Sequence, residues 1–260
     1  MASEAAARDA VVLAARHLSG AGLSPGGSGS LSVRLEDRFL VTPAGSSLSR
    51  VRPEDLAVVA LTGAVISGQP SEEANLHRAV YGKRPDAAAV VHLHSPYAVA
   101  AACLDVRTGR PSLPFLTPSQ VTRVGDLPMA PYGRPGSGAL ALGVGVLAAD
   151  HAAMLMRNHG SLVAATSLDG AVDLAEEVEA AARVVLLVQG LSARPLTEAQ
   201  VAELRERATP SPHRSRSPTQ RGVRRPSASG DRGKRASVRG RRRGWRQARL
   251  CRRHAGSVRR

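Results

Sequence analysis

Two histidines one residue apart, in the run Val90-Val91-His92-Leu93-His94-Ser95, are accompanied by a third in Asn158-His159-Gly160 and by a glutamate in Ser71-Glu72-Glu73. Successive side chains on a strand point to opposite faces, so the single-residue gap turns the imidazoles of His92 and His94 the same way. One such histidine would be an ordinary core residue, and His159 by itself an ordinary turn residue. As a pair on one face, two imidazoles buried without partners cost free energy, whereas a shared cation uses both lone pairs. A third imidazole from a distant loop would leave a divalent metal an open position for water or substrate, which is the arrangement of a catalytic site. Three nitrogen ligands suit Zn2+ or another divalent transition metal.

The elements that must position these groups are legible in outline. Val11, Val12, Ala15 and Leu18 recur at helical spacing within a first helix from Ser3 to Leu18, closed by Gly20-Ala21-Gly22. Short strands follow at 30–35 and 38–42, then 56–61 and 64–67, joined at Glu36-Asp37 and Thr62-Gly63. Ser71 after Pro70 reads as the N-cap of a helix reaching about Gly82, with Glu72, Glu73 and His77 near its start. A buried strand over 87–93 carries His92, and a helix over 96–103 follows it. A Pro-rich crossing leads to a helix over 137–150, strands over 152–156 and 161–165, a long helix capped by Ser167 and a short helix over 197–207. Helices interspersed around an antiparallel sheet favour an α+β or three-layer α/β/α domain over a doubly wound parallel fold.

Charge divides the chain. The formal net charge of +15 is the sum of +17 in residues 210–260, where 18 Lys and Arg face the single acid Asp231, and −2 in residues 1–209. The first 209 residues are therefore expected to form one domain. Residues 210–260 are expected to be a disordered basic tail, since Arg, Ser, Pro and Gly without periodic apolar residues cannot bury enough surface to offset ordering entropy. The abrupt change near Thr209 is also what a shifted reading frame in GC-rich DNA would produce. Nucleic acid is expected as a partner only through this tail, by counterion release from its arginines. Two cysteines, Cys103 and Cys251, make no disulfide framework; a start with early acids lacks the cationic then apolar order of a signal peptide, so none is expected, and no apolar run reaches membrane-spanning length. A cytoplasmic protein without membrane partners is the expectation.

Gly29-Ser30-Leu31-Ser32-Val33-Arg34, Val41-Thr42-Pro43-Ala44-Gly45, Gly68-Gln69-Pro70-Ser71-Glu72-Glu73, the His92-Leu93-His94 strand, Ala130-Pro131-Tyr132 with Pro135-Gly136-Ser137, and Asn158-His159-Gly160 resemble, in order, the landmarks of the class II aldolase/adducin family. The resemblance spans about residues 5–190. It implies an α/β fold, a three-layer αβα sandwich with a largely antiparallel central sheet. It also implies assembly into a homotetramer with active sites between neighbouring subunits. By position, His92, His94 and His159 are similar to the family's zinc ligands and Glu73 to its acid/base. Gly29, Ser30, Ala44, Gly45 and Ser71 fall where members hold substrate, the phosphate of a sugar phosphate in particular. Glutamate at position 73 favours the aldolase and dehydratase branches over the epimerases.

Three positions depart from the family pattern. Ser30 replaces an asparagine, Glu72 replaces a second serine before the catalytic glutamate, and no tyrosine stands near Pro118, where aldolases of this family place a proton donor. A carboxylate at Glu72 facing a phosphate would repel it, which argues against a phosphorylated substrate unless Glu72 turns to solvent. The leading expectation is a metal-dependent lyase performing reversible aldol cleavage of a keto-sugar or related hydroxy-keto compound through a metal-bound enediolate. A dehydratase or decarboxylase of the same family is the enzymatic alternative. A noncatalytic adducin-like scaffold with a basic tail is the alternative from another class, and it would have no need of all three histidines and Glu73.

Overall fold

The computed structural model of the protein describes residues 3–104 and 113–207; the expected basic tail, 210–260, lies outside them. An eight-stranded sheet runs in the order β4-β3-β2-β1-β5-β8-β7-β6. Its strands are β1 (Ser30–Leu35), β2 (Arg38–Val41), β3 (Ala57–Ala60), β4 (Val65–Ser67), β5 (Ala89–Leu93), β6 (Met129–Ala130), β7 (Ala153–Met156) and β8 (Gly160–Ala165). Every neighbouring pair is antiparallel except β6 and β7.

Helices cover both faces, which makes the three layers. On one side α1 (Glu4–Gly20), α3 (Pro96–Ala102) and α5 (Leu168–Leu187) pack over Leu31, Val91, Leu93, Leu155 and Val163. On the other, α2 (Ala74–Lys83) and α4 (Gly138–Ala148) pack over Phe39, Val90, Met154, Met156 and Leu162. A last helix, α6 (Glu198–Arg207), is tied back by Arg205 to Asp126 at 2.6 Å. Alternation along β5 explains the split: Ala89, Val91 and Leu93 enter the first core and Val90 the second, so that His92 shares the face of Val90. All five β5 residues are buried, because a strand covered on both faces has no polar side to show.

Within the Pro-rich crossing two elements went unforeseen: a π-helical turn at Gln120–Val124 and the two-residue strand β6. Neither has the length for periodicity to register. The expected N-cap at Ser71 is also displaced. An extra turn precedes α2, in which the Glu73 N–H donates to Ser71 Oγ at 3.3 Å and the Ala74 N–H to the Ser71 carbonyl at 2.9 Å. Glu73 therefore stands at the mouth of the helix, in the N-cap position, with Ala74 as the first helical residue.

Candidate metal centre

β5 delivers His92, and the chain leaves the sheet at His94 before α3 begins. β8 pairs with β5 in the register Leu93 to Ser161, and the hairpin joining β7 to β8 carries His159 at its tip. Asn158 adopts a left-handed φ of 56° there, and a Cβ on Gly160 would collide with the Leu93 carbonyl oxygen. The Asn-His-Gly triplet thus swings His159 over the end of β5. α2, packed on the face that His92 shares with Val90, sets Glu73 beside them.

The result is one cluster: a carboxylate oxygen of Glu73 and one ring nitrogen each of His92, His94 and His159 lie within 4.8 Å of one another. His92 Nε2 is 3.0 Å from His94 Nε2 and 2.8 Å from Glu73 Oε2, and His159 Nε2 is 3.2 Å from Glu73 Oε1. His92 Nδ1 lies 2.8 Å from the Ser161 carbonyl, which can only accept, so Nδ1 carries a proton and Nε2 is the nitrogen turned into the cluster. That nitrogen faces a carboxylate and a second imidazole. Close as they are, His159 Nε2 and Glu73 Oε1 are not aligned as a hydrogen bond, and both are buried without one, as is His159 Nδ1. Converging metal-ligating atoms, some of them buried without a hydrogen-bond partner, are satisfied by a cation at their centre, so these residues fit a divalent metal.

The electrostatics agree. Burial, and then the positive charge of His92 and His159, lower His94 to about 4, so its nitrogen stays free of a proton at neutral pH. Burial opposes ionisation of Glu73, but the close approach of the His159 and His92 rings outweighs it and holds the carboxyl well below the usual carboxylate range. Of the four, Glu73 and His92 are buried and His94 is the most open to solvent.

His77, on α2 one turn beyond Glu73, forms the floor of the site. It is fully buried, with Nε2 at 2.8 Å from Ser30 Oγ and Nδ1 at 2.7 Å from Ser32 Oγ, and Ser32 Oγ also meets Tyr81 at 2.8 Å. Ser30 itself is fully buried, so its hydroxyl serves this network. Gly29, with φ 83°, lies against the His92 carbonyl, where a Cβ would approach to 3.0 Å. Gly27 neighbours Ser46, and the Ala44 N–H donates to Gln69 at 3.1 Å while the Ser71 N–H donates to Thr42 at 3.1 Å. The loop holding Gly27 and Gly29, the Ala44-Gly45 turn and Ser71 therefore gather at the same end of the sheet as His92. Glu72 is exposed. The expected repulsion of a phosphate by its carboxylate loses its force, because the side chain that follows Ser71 turns to water.

Glu179 was missed altogether. It is buried in α5 and accepts hydrogen bonds from Ser95 Oγ (2.7 Å), the Tyr97 N–H (2.9 Å) and the Ala98 N–H (2.7 Å). A signal existed, since Ala171, Ala175, Val178 and Ala182 form the buried stripe of α5 and Glu179 falls on it, four residues after Ala175.

The family model for the class II aldolase and adducin N-terminal domain matches residues 9–186. Among curated proteins, the chain is 40% identical over 188 residues to 3-oxo-tetronate 4-phosphate decarboxylase of Haemophilus influenzae, covering 72% of this chain and 90% of that protein. It is 32% identical over 167 residues to L-fuculose phosphate aldolase of Escherichia coli, covering 64% and 75%. Among solved structures, YgbL of Klebsiella pneumoniae superposes with a TM-score of 0.75 at 38% identity, covering 78% of this chain and all of that one.

Proposed function

Since the chain belongs to the class II aldolase and adducin family, we propose that it is a metal-dependent lyase that decarboxylates a 3-oxo sugar acid carrying a phosphate. The observation that carries this reading is the convergence of Glu73 with three imidazoles within 4.8 Å. A noncatalytic scaffold has no use for that cluster. Decarboxylation now stands ahead of aldol cleavage for two reasons: the stronger match is to a decarboxylase, and no tyrosine stands near Pro118.

His92, His94 and His159 would hold the metal, zinc being the ion their nitrogens suit. A divalent cation bound there acts as a Lewis acid that draws negative charge onto a ketone oxygen. Breaking the bond between the carboxylate carbon and C2 releases carbon dioxide and leaves its electron pair delocalised toward the C3 ketone. The reaction ends when C2 takes a proton. Glu73 is the residue that moves it: ionised at rest, it gains a proton from water or a substrate hydroxyl and delivers it to carbon. The Ser161 carbonyl, by holding His92 Nδ1, fixes the ring so that Nε2 faces the reacting end of the substrate.

The Ser71 hydroxyl with the backbone at Gly29 and Gly45 would receive the phosphate, while Ala44, held by the Gln69 carbonyl, and Ser30, buried against His77, would shape the turn and the floor around it. The exposed apolar side chains Leu142 and Val146 on α4, with Tyr132, support the homotetramer that the resemblance implies.

Product analysis tests the reading. Metal-loaded protein given a 3-oxo sugar acid 4-phosphate should release one carbon dioxide per keto-sugar phosphate formed. Two carbonyl fragments from a ketose phosphate, with no carbon dioxide from the oxo acid, would establish aldol cleavage instead.

A further inference from the structure

We infer that Glu179 is a positioning residue for the metal centre, acting through α3 on two of its ligands at once; this rests on the metal reading above. α3 begins directly after His94-Ser95, and its first position is Pro96, which has no N–H to cap. The next two amides, of Tyr97 and Ala98, both donate to the Glu179 carboxylate, one to each oxygen. Ser95 occupies the N-cap but does not cap with its own side chain. Its hydroxyl donates to Glu179 Oε2. A carboxylate 84 residues away thus does the work a serine does in an ordinary cap, and pins the residue beside His94 to α5. Arg183, one turn further along α5, stacks over the Tyr97 ring at 5.4 Å and reinforces the same attachment.

At the other end of α3 the Ala102 carbonyl accepts the Asn158 N–H at 3.0 Å. Asn158 is the left-handed residue that turns His159 into the site. α3 therefore joins His94 covalently at its start and the His159 turn by a hydrogen bond at its end. Glu179 fixes where this seven-residue bracket sits. Without it, three donors lose their acceptor, the first turn of α3 is free to shift, and the two imidazoles lose their common aim. Partners that orient ligands without touching the metal typically govern affinity by about 10- to 100-fold.

The test uses the full-length chain with Glu179→Gln, Glu179→Ala and Ser95→Ala. Cobalt affinity is read by competition with a chromophoric chelator, ligand geometry by the visible spectrum of the cobalt form, and folding by circular dichroism of the metal-free protein. Glu179→Gln, which keeps shape and one acceptor oxygen, should stay folded, bind cobalt about tenfold more weakly and show an altered spectrum. Ser95→Ala should shift both in the same direction by less. A role confined to stability would lower the melting temperature yet leave affinity and spectrum of the folded variants at the parent values, and that result overturns the inference. A parent protein that takes up no cobalt would overturn the metal reading itself, and this inference with it.

Discussion

His92 faces Glu73 across 2.8 Å, Nε2 to Oε2, while the other nitrogen of the same ring is held by the Ser161 carbonyl at the same distance. The ring is thereby fixed with Nε2 toward the cluster, and the carboxylate beside it is placed to be the proton carrier. The two residues should consequently fail in different ways. Glu73→Gln should retain metal and lose about 100- to 10,000-fold in kcat, the range expected for a general acid/base. His92→Ala should lose stoichiometric metal. Metal analysis beside kinetics decides it, and a Glu73→Gln protein of near-normal kcat would remove the carboxylate from the chemistry.

Chelation gives a second prediction. Dialysis against a strong chelator should abolish turnover, and zinc or cobalt should restore it, because no other group in the cluster can take up the charge developing on the ketone oxygen. Full activity in protein shown to be metal-free would contradict the assignment of all three histidines.

Gly160 is the third test. A methyl group there meets the Leu93 carbonyl in β5, and backbone cannot rotate away as a side chain can. Gly160→Ala should push β8 from β5, cost about 1–3 kcal/mol of stability as overpacking does, and weaken metal binding through His159. Denaturant titration and cobalt binding would measure the two effects; an unchanged protein would mean that the hairpin has more slack than this packing allows.

His77 predicts a pH dependence. Burial lowers it to about 3 from an ordinary 6.5. Between those values the unfolded chain binds a proton that the folded protein refuses, so stability rises with pH in that window. His77's contribution is fully present above about pH 6.5 and declines below it by up to about 1.4 kcal/mol per pH unit. Denaturation of the parent and of His77→Gln at pH 7 and pH 5 should show a gap that narrows toward pH 5. A gap independent of pH would mean that the histidine titrates alike in the folded and unfolded states.

Glu72 offers a test of the phosphate. As an exposed carboxylate in water it should perturb an anion weakly. Glu72→Ser should change KM for the phosphorylated substrate by no more than about twofold at physiological ionic strength. A tenfold fall in KM would place the side chain against the phosphate.

The expectations that succeeded share a local origin. His92 and His94 on one side of the chain, the β1–β2 hairpin and the helical stripe of Val11, Val12, Ala15 and Leu18 follow from periods of two and 3.6 residues. Such periods are set by the backbone of each segment and are legible wherever the segment is long enough. β6 and the π-helical turn were too short to carry a period. The displaced start of α2 had another cause: Ser71 Oγ caps a turn that precedes the helix, and a sequence shows the same serine either way.

The amino-acid sequence by itself determined which residues could bind a metal, the faces on which local geometry sets them, and the family whose order of motifs they share. Only the tertiary structure decided that Glu73, from a helix on one side of the sheet, meets His159, from a hairpin tip. It alone turned Glu72 to water, buried Ser30 against His77 and placed Glu179 at the start of α3. These relations join groups up to 86 residues apart. Their distances are fixed by how two helical layers pack on a twisted sheet, and no periodicity along the chain encodes that packing.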